Sequence, residues 1–304
     1  MEKPMIYMEH VTKKIGGNVI LQDVNLNLEP GCVYGIEGTN GSGKTMLMRM
    51  IAGLIYPTQG KVLIQGKEIS GGKAYPVNLG MLIENPAFLD GYTGLNNLKF
   101  LASINQRVTE QEIRDTITRV GLDADDTRKY KKYSLGMKQR LGIAAAIFEH
   151  PDILILDEPV DGLDPVMRRQ IWSLILQDVT EHGTTVLVSS HNLRELEDVC
   201  DHVGIMNHGK IIIERSLSEL QSSICKIQAA FQAEMPKLPK DLEVLHMSTT
   251  GRVHTMIVRG EPKQIKEQFT ALNPMLMDVL PLSLEEIFIY ELGGADYAVR
   301  DILF

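Results

Sequence analysis

No stretch of this chain approaches the eighteen or so consecutive apolar residues that a membrane-crossing helix requires. Any work at a membrane therefore has to pass through a second, membrane-embedded chain. The N-terminus lacks the apolar core of a signal peptide, so a cytoplasmic location is expected. Cysteine is scarce: Cys32, Cys200 and Cys225 are an odd, scattered set without metal-ligand spacing. That excludes a disulfide framework and a zinc knuckle, and predicts buried thiols in a reducing compartment. Positive charge is also short, with 31 Lys and Arg against 39 Asp and Glu and a net charge of −8. Without a basic stripe to neutralise phosphates, nucleic acid is not an expected partner. Internal repeats and low-complexity tracts are missing.

What remains is an ordinary globular composition, 44% apolar and 23% charged. At 304 residues the chain is long for one core, which predicts a large domain with an appendage. The strongest local signal is Gly38-Thr39-Asn40-Gly41-Ser42-Gly43-Lys44-Thr45, of the form G-x-x-x-x-G-K-[ST]. An apolar run, Cys32–Ile36, precedes it, and a helical run, Met46–Ala52, follows and is closed by Gly53. A strand, a glycine-rich turn and a helix start are what a phosphate-binding loop needs. Glycines let successive N–H groups turn inward, and the helix N-terminus adds partial positive charge. Lys44 would reach the β- and γ-phosphates of a nucleotide, and the Thr45 hydroxyl would ligate Mg²⁺.

Along the chain, Met5–Val11 reads as an opening strand. Val24, Leu26 and Leu28 alternate with polar residues as a half-buried antiparallel strand, and Val62 and Ile64 form another. Leu79–Ile83 is a continuous apolar run, which predicts a buried strand. From about Tyr92 to His150 the signals are helical, with a capping box at Thr109 and Glu112. Ile153–Leu156 and Val186–Val188 are short apolar strands with a helix of about 17 residues between, the spacing of a parallel sheet. Asn207-His208-Gly209-Lys210 signals a hairpin, and Ser216 with Glu219 caps a short helix. After about residue 224 the pattern resets to a small α/β appendage. It has strands near 244–247, 253–258 and 275–279, helices opened by Pro262 and Ser283, and Pro236–Pro239 in a loop.

Behind the phosphate loop follow Glu84, Tyr133-Ser134-Leu135-Gly136-Met137-Lys138-Gln139-Arg140-Leu141, Asp157-Glu158, Asp161-Gly162-Leu163-Asp164 and His191. In that order the chain resembles, over about residues 4–222, the ATP-binding subunits of ATP-binding-cassette (ABC) transporters. It looks most like the bacitracin and lantibiotic resistance exporters. The resemblance implies an α/β P-loop NTPase core with an antiparallel β subdomain and a helical subdomain at about 92–150. The expected division is a nucleotide-binding domain, 1–222, and an accessory α/β domain, 223–304.

It also implies roles. Asp157 would hold Mg²⁺ and Glu158 would polarise the attacking water. His191 would contact the γ-phosphate. Ser134 and Gly136 would meet the γ-phosphate bound by a second copy, with Asp164 at the matching acidic position across the dimer. Glu84 stands where most relatives carry glutamine and would keep an oxygen for Mg²⁺. Leu135 and Met137 depart from the usual glycine and glutamine. Ile15 replaces the aromatic that usually stacks on adenine, so the grip on the base is open.

The expected protein is thus an ATP- and Mg²⁺-dependent homodimeric ATPase. It would drive export, through a separate membrane permease, of a peptide antibiotic or similar amphiphile. Phe88, Leu89 and Tyr92 are either core or the lip that receives the permease. Two alternatives stand beside this reading. A soluble cassette ATPase acting on a macromolecule would usually carry two cassettes, an iron–sulphur cysteine cluster or a coiled-coil insert. Here only 90 residues separate Lys44 from Ser134. A non-hydrolysing regulator would have no need of both Glu158 and His191.

Overall fold

The structure is a computed structural model that describes residues 3–69, 71, 74–232, 235–239 and 241–292. It divides into two compact units. One runs to His191 and resumes over Val199–Glu214; the other comprises Asn192–Asp198 and the chain from Arg215 onward. The expected boundary near residue 222 lies inside the second unit. That unit also takes in 192–198, a segment that sequence reading placed with the nucleotide-binding region.

In the first unit, β1 (Ile6–Ile15) and β2 (Asn18–Leu28) pair antiparallel, with Met8 opposite Leu26. Val24, Leu26 and Leu28 are buried while Asp23, Asn25 and Asn27 are exposed, as the alternation requires. β3 (Val33–Glu37) leads into the phosphate loop and α1 (Lys44–Ile51). β4 (Gln59–Ile64) and β5 (Lys67–Glu68) complete an antiparallel layer in the order β2-β1-β4-β5.

After β6 (Leu79–Leu82) come three helices: α2 (Gly94–Asn105), α3 (Glu110–Arg119) and α4 (Leu135–Ile147). Each opens on a hydroxyl cap: Thr93, Thr109 with its Glu112 capping box, and Ser134. Such a cap is worth about 1 kcal/mol. β7 (Ile153–Asp157), α5 (Pro165–His182) and β8 (Thr185–Ser190) form a parallel β-α-β unit. α6 (Leu193–Glu197) belongs to the second unit, and β9 (His202–Asn207) and β10 (Lys210–Ser216) return to the sheet. Their turn places His208 and Gly209 at φ 45° and 76°, the left-handed pair that a tight hairpin needs.

The six-stranded sheet runs β10-β9-β3-β8-β7-β6, and every residue of β3, β7 and β8 is buried. β6 departs from expectation. It forms the sheet's edge, and Met81 within its apolar run is 42% exposed. In register, Glu37 pairs with Ser190 and Asp157 with Ser189. The carboxyl ends of three central strands therefore fall at one edge, where ligands bind in open parallel sheets. The cysteines are free, but Cys32 is only half-buried, in contrast to the expected burial of all three.

The second unit continues with α7 (Leu217–Ser223), β11 (Ile224–Ala230), β12 (Glu243–Thr250), β13 (Val253–Arg259), α8 (Pro262–Thr270), β14 (Leu276–Leu280) and α9 (Leu284–Leu292). Its antiparallel sheet has the order β12-β13-β11-β14, and Ile227, Met256, Val258, Ile265 and Phe269 fill its core. The remainder of the expected accessory domain, 293–304, lies outside the described residues.

Candidate nucleotide site

The phosphate loop is shaped by contacts that only glycine permits. A Cβ on Gly38 would lie 2.4 Å from the Met206 carbonyl oxygen and 2.6 Å from Ser42 Oγ. Gly43 caps α1 at φ 110° without any side-chain hydrogen bond, so the helix N-terminus keeps its N–H groups for an external acceptor. Lys44 is buried; its ammonium donates to the carbonyls of Gly38 and Thr39 and lies 3.7 Å from Glu158 Oε1. Among the described residues, buried Ser42 Oγ has no hydrogen-bond partner.

The carboxylates converge on the same edge. Thr45 Oγ1 donates to Asp157 Oδ2 at 2.8 Å, and Ser189 Oγ donates to Asp157 Oδ1 at 2.5 Å. The Glu158 N–H donates to Ser189 Oγ at 3.0 Å, so one serine fixes both acids. Glu158 itself sits at φ 47°, a left-handed turn that points the chain away from the sheet. Gln139 Nε2 supports that turn by donating to the Pro159 carbonyl at 3.0 Å. His191 Nδ1 lies 3.6 Å from Glu158 Oε1. At the end of β3, Glu37 is 3% exposed, with one carboxylate oxygen unpartnered among the described residues. Desolvation pushes its pKa up to about 7, against the smaller opposing pull of Lys44 and His191.

Thr39, Asn40, Gly41, Gly43, Lys44, Thr45, Glu84, Asp157 and Glu158 all line one cleft of about 640 Å³. The donor set at its floor suits Mg²⁺, a hard cation that prefers oxygen at about 2.0–2.1 Å. Adjacent ligands of such an octahedral ion stand about 2.9 Å apart, close to the 2.8 Å between Thr45 Oγ1 and Asp157 Oδ2. Glu84 lines the cleft, but its carboxylate is engaged by Arg49 at 2.7 Å.

Ser134, Gly136 and Asp164 do not join this group. Ser134 caps α4 by accepting from the Met137 N–H, and Asp164 caps α5 by accepting from Val166 and Met167. Ser134 and Asp164 are exposed, whereas their neighbours Leu135 and Gly162 do line the cleft. Ile15 is half-exposed at the β1–β2 turn and does not line the cleft, whereas Ile20 does. Sequence reading missed Ser189, Gln139, Arg49 and Glu37. Of these only Glu37, an acid closing an apolar strand just before the glycine loop, carries a signal visible in the sequence.

A second, apolar groove of about 460 Å³ lies in the first unit between β6, α2 and α4. Met81, Phe88, Leu101 and Ile104 are among its walls, with Leu89 and Tyr92 exposed nearby. Phe88 packs edge-on against Tyr130 at 5.2 Å, so it is part of the local core as well. Among the described residues, no helix is long and apolar enough to cross a membrane.

The family model for "ABC transporter" matches residues 21–161. The chain is 39% identical over 306 residues to the uncharacterized ABC transporter ATP-binding protein YhcH of Bacillus subtilis, covering 98% of this chain and 99% of that protein. It is 33% identical to the bacitracin transport ATP-binding protein BcrA of Bacillus licheniformis, over 93% and 96% of the two chains. Among solved structures it resembles the dimeric bacterial ABC transporter cassette MJ0796, with TM-score 0.64 and 25% identity. That match covers 70% of this chain and 99% of the other.

Proposed function

Because the chain belongs to the ATP-binding proteins of ABC transporters and is an ATPase, we propose that it powers export through a separate membrane permease. The cargo class we infer is a peptide antibiotic or similar amphiphile, by likeness to a protein named for bacitracin transport. The observation that carries the chemistry is the meeting of Lys44, Glu158 and His191 beside the Thr45–Asp157 pair.

The phosphates of ATP take the N–H groups at the uncapped start of α1, Gly43 to Thr45, and Lys44 leaves its loop carbonyls for the β- and γ-phosphates. That movement frees Glu158 from its ion pair with Lys44. Glu158 then accepts the proton of the attacking water, while His191 donates to the γ-phosphate oxygens. Thr45 and Asp157 would hold Mg²⁺, which would supply charge neutralisation of the phosphates. Glu84, which lines the cleft and is paired with Arg49, would offer a further oxygen toward that ion.

Ser134, Gly136 and Asp164, none of which lines the cleft of its own chain, complete the site of a second copy. The chain then works as a homodimer closed by two ATP molecules. We assign residues 1–222 to nucleotide binding and 223–304 to an accessory domain. The groove beside β6 receives a helix of the permease, which holds the protein on the inner face of the membrane. Leu89→Asp and Ile104→Asp test this docking. Both should abolish co-purification with the membrane subunit from detergent extracts, with ATPase activity of the isolated chain intact. Unchanged co-purification in both variants would place the permease elsewhere.

A further inference from the structure

At the other end of β7, away from the nucleotide, three side chains converge on one point. His150 Nδ1 lies 2.9 Å and His182 Nδ1 3.1 Å from Asp178 Oδ1. The ligating atoms of all three lie within 4.8 Å of one another. His150 stands in the connection between α4 and β7. Asp178 and His182 are one turn apart at the end of α5, on one helix face.

The electrostatics are unusual. Asp178 is 3% exposed, and an ionised carboxylate removed from water needs a cationic partner. Among the described residues its ion-pair partners are these two imidazoles; no Lys or Arg pairs with it. The rings are stacked with centroids 4.0 Å apart, so charging both would set two cations face to face. One divalent ion shared by two neutral rings balances the carboxylate without that repulsion.

We propose that His150, Asp178 and His182 form a transition-metal site, with Zn²⁺ as the fitting ion. In a tetrahedral site with bonds of about 2.0–2.1 Å, ligand atoms stand about 3.3 Å apart, so the 2.9 Å hydrogen-bonded and 3.1 Å spacings here would open by only a few tenths of an ångström on binding. Two imidazoles select zinc, cobalt, nickel or copper over Mg²⁺, so the ion that accompanies ATP does not compete. Asp178 is already oriented, because its second oxygen lies 3.2 Å from Thr184 Oγ1. The rings are inclined at 26°, so each turns on binding to aim its lone pair at the ion; both are 38% exposed and have room. Water takes the fourth position. The metal would staple the end of α5 to the entry of β7, the two elements that carry Asp164 and Asp157 at their opposite ends.

The test uses the untagged full-length chain, stripped of metal with a chelator. Zn²⁺ is titrated in competition with a chromophoric chelator, and Co²⁺ serves as a spectroscopic probe. The wild type should bind one equivalent of zinc, give the visible bands of four-coordinate cobalt, and melt at a higher temperature with zinc. His150→Ala and His182→Ala should weaken zinc binding by at least about tenfold and lose the melting shift, with ATP–Mg²⁺ binding unchanged. No zinc uptake by the wild type, or equal affinity in the His150→Ala/His182→Ala double variant, would overturn the proposal.

Discussion

Two helix starts in the same unit are built in opposite ways. α1 opens on Gly43 with no side-chain cap, so its N–H groups stay open beside the buried Lys44 and Asp157. α4 opens on Ser134, whose hydroxyl already accepts from Met137, and it stands exposed with Leu135. One start keeps its N–H groups free of any side-chain cap; the other is satisfied locally by Ser134, with Leu135 at the lining of the cleft. An uncapped glycine start can take an external anion, whereas a start capped by its own serine is already satisfied within the chain. That division is what a head-to-tail pair of copies would resolve.

The largest expected effect lies in the buried half. Glu158→Gln should keep ATP binding but lower turnover by about 10²–10⁴-fold, the worth of a positioned general base. Steady-state hydrolysis measured alongside ATP affinity checks it, and near-normal turnover would remove Glu158 from that role. The exposed half is probed by Ser134→Asp. Aspartate caps a helix as well as serine does, so the melting temperature should hold. A carboxylate set against the other copy's γ-phosphate should still cut ATPase activity by about 10²-fold or more, the scale of losing an oxyanion donor. If melting and activity fell together, Ser134 would be a cap alone.

Ser189→Ala sharpens the contrast from within. It leaves Asp157 Oδ1 and the Glu158 N–H without their shared hydroxyl, which should cost about 1–3 kcal/mol in urea unfolding and weaken Mg²⁺ dependence. No comparable loss is expected from Asp164→Asn, which keeps its cap.

An effect of the same order as that of Ser189→Ala is the pH response of Glu37. Its folded pKa of about 7 stands above the ordinary value near 4.5, so the folded state binds more protons between those limits. The cost of the buried charge is absent below about pH 4.5, grows as pH rises, and is complete above about pH 7. Glu37→Gln should therefore be more stable than the parent at pH 8 by about 1–3 kcal/mol. That gap should close toward pH 5 in paired urea titrations; a gap independent of pH would contradict it.

Much of this was legible in the residues because the signals are local. Gly38–Thr45 between an apolar strand and a helix, and Asp157-Glu158 closing an apolar strand, each state their geometry within a dozen positions. Ser189 and Gln139 do not, since they act on Glu158 across a strand pairing and a helix packing that no spacing reveals. Arg49 took Glu84 for the same reason. β11 was missed because Ile224–Ala230 carries Cys225, Ala229 and Ala230 where large apolar residues would mark a central strand, and it follows α7 with no turn residue between. Met81 was read as buried because an apolar run does not say whether its strand is central or at the edge.

The division of the site between two chains is tested most directly by mixing two inactive variants. Lys44→Ala lacks the phosphate cradle and Ser134→Asp lacks the outward-facing half, so each alone should hydrolyse almost no ATP. In an equal mixture about half the dimers pair one chain of each kind, and each such dimer keeps one intact site of two. The account predicts recovery to roughly a quarter of wild-type activity after subunit exchange. If the mixture stays as inactive as its components while mixed dimers are shown to form, Lys44 and Ser134 do not meet across an interface, and the account is wrong.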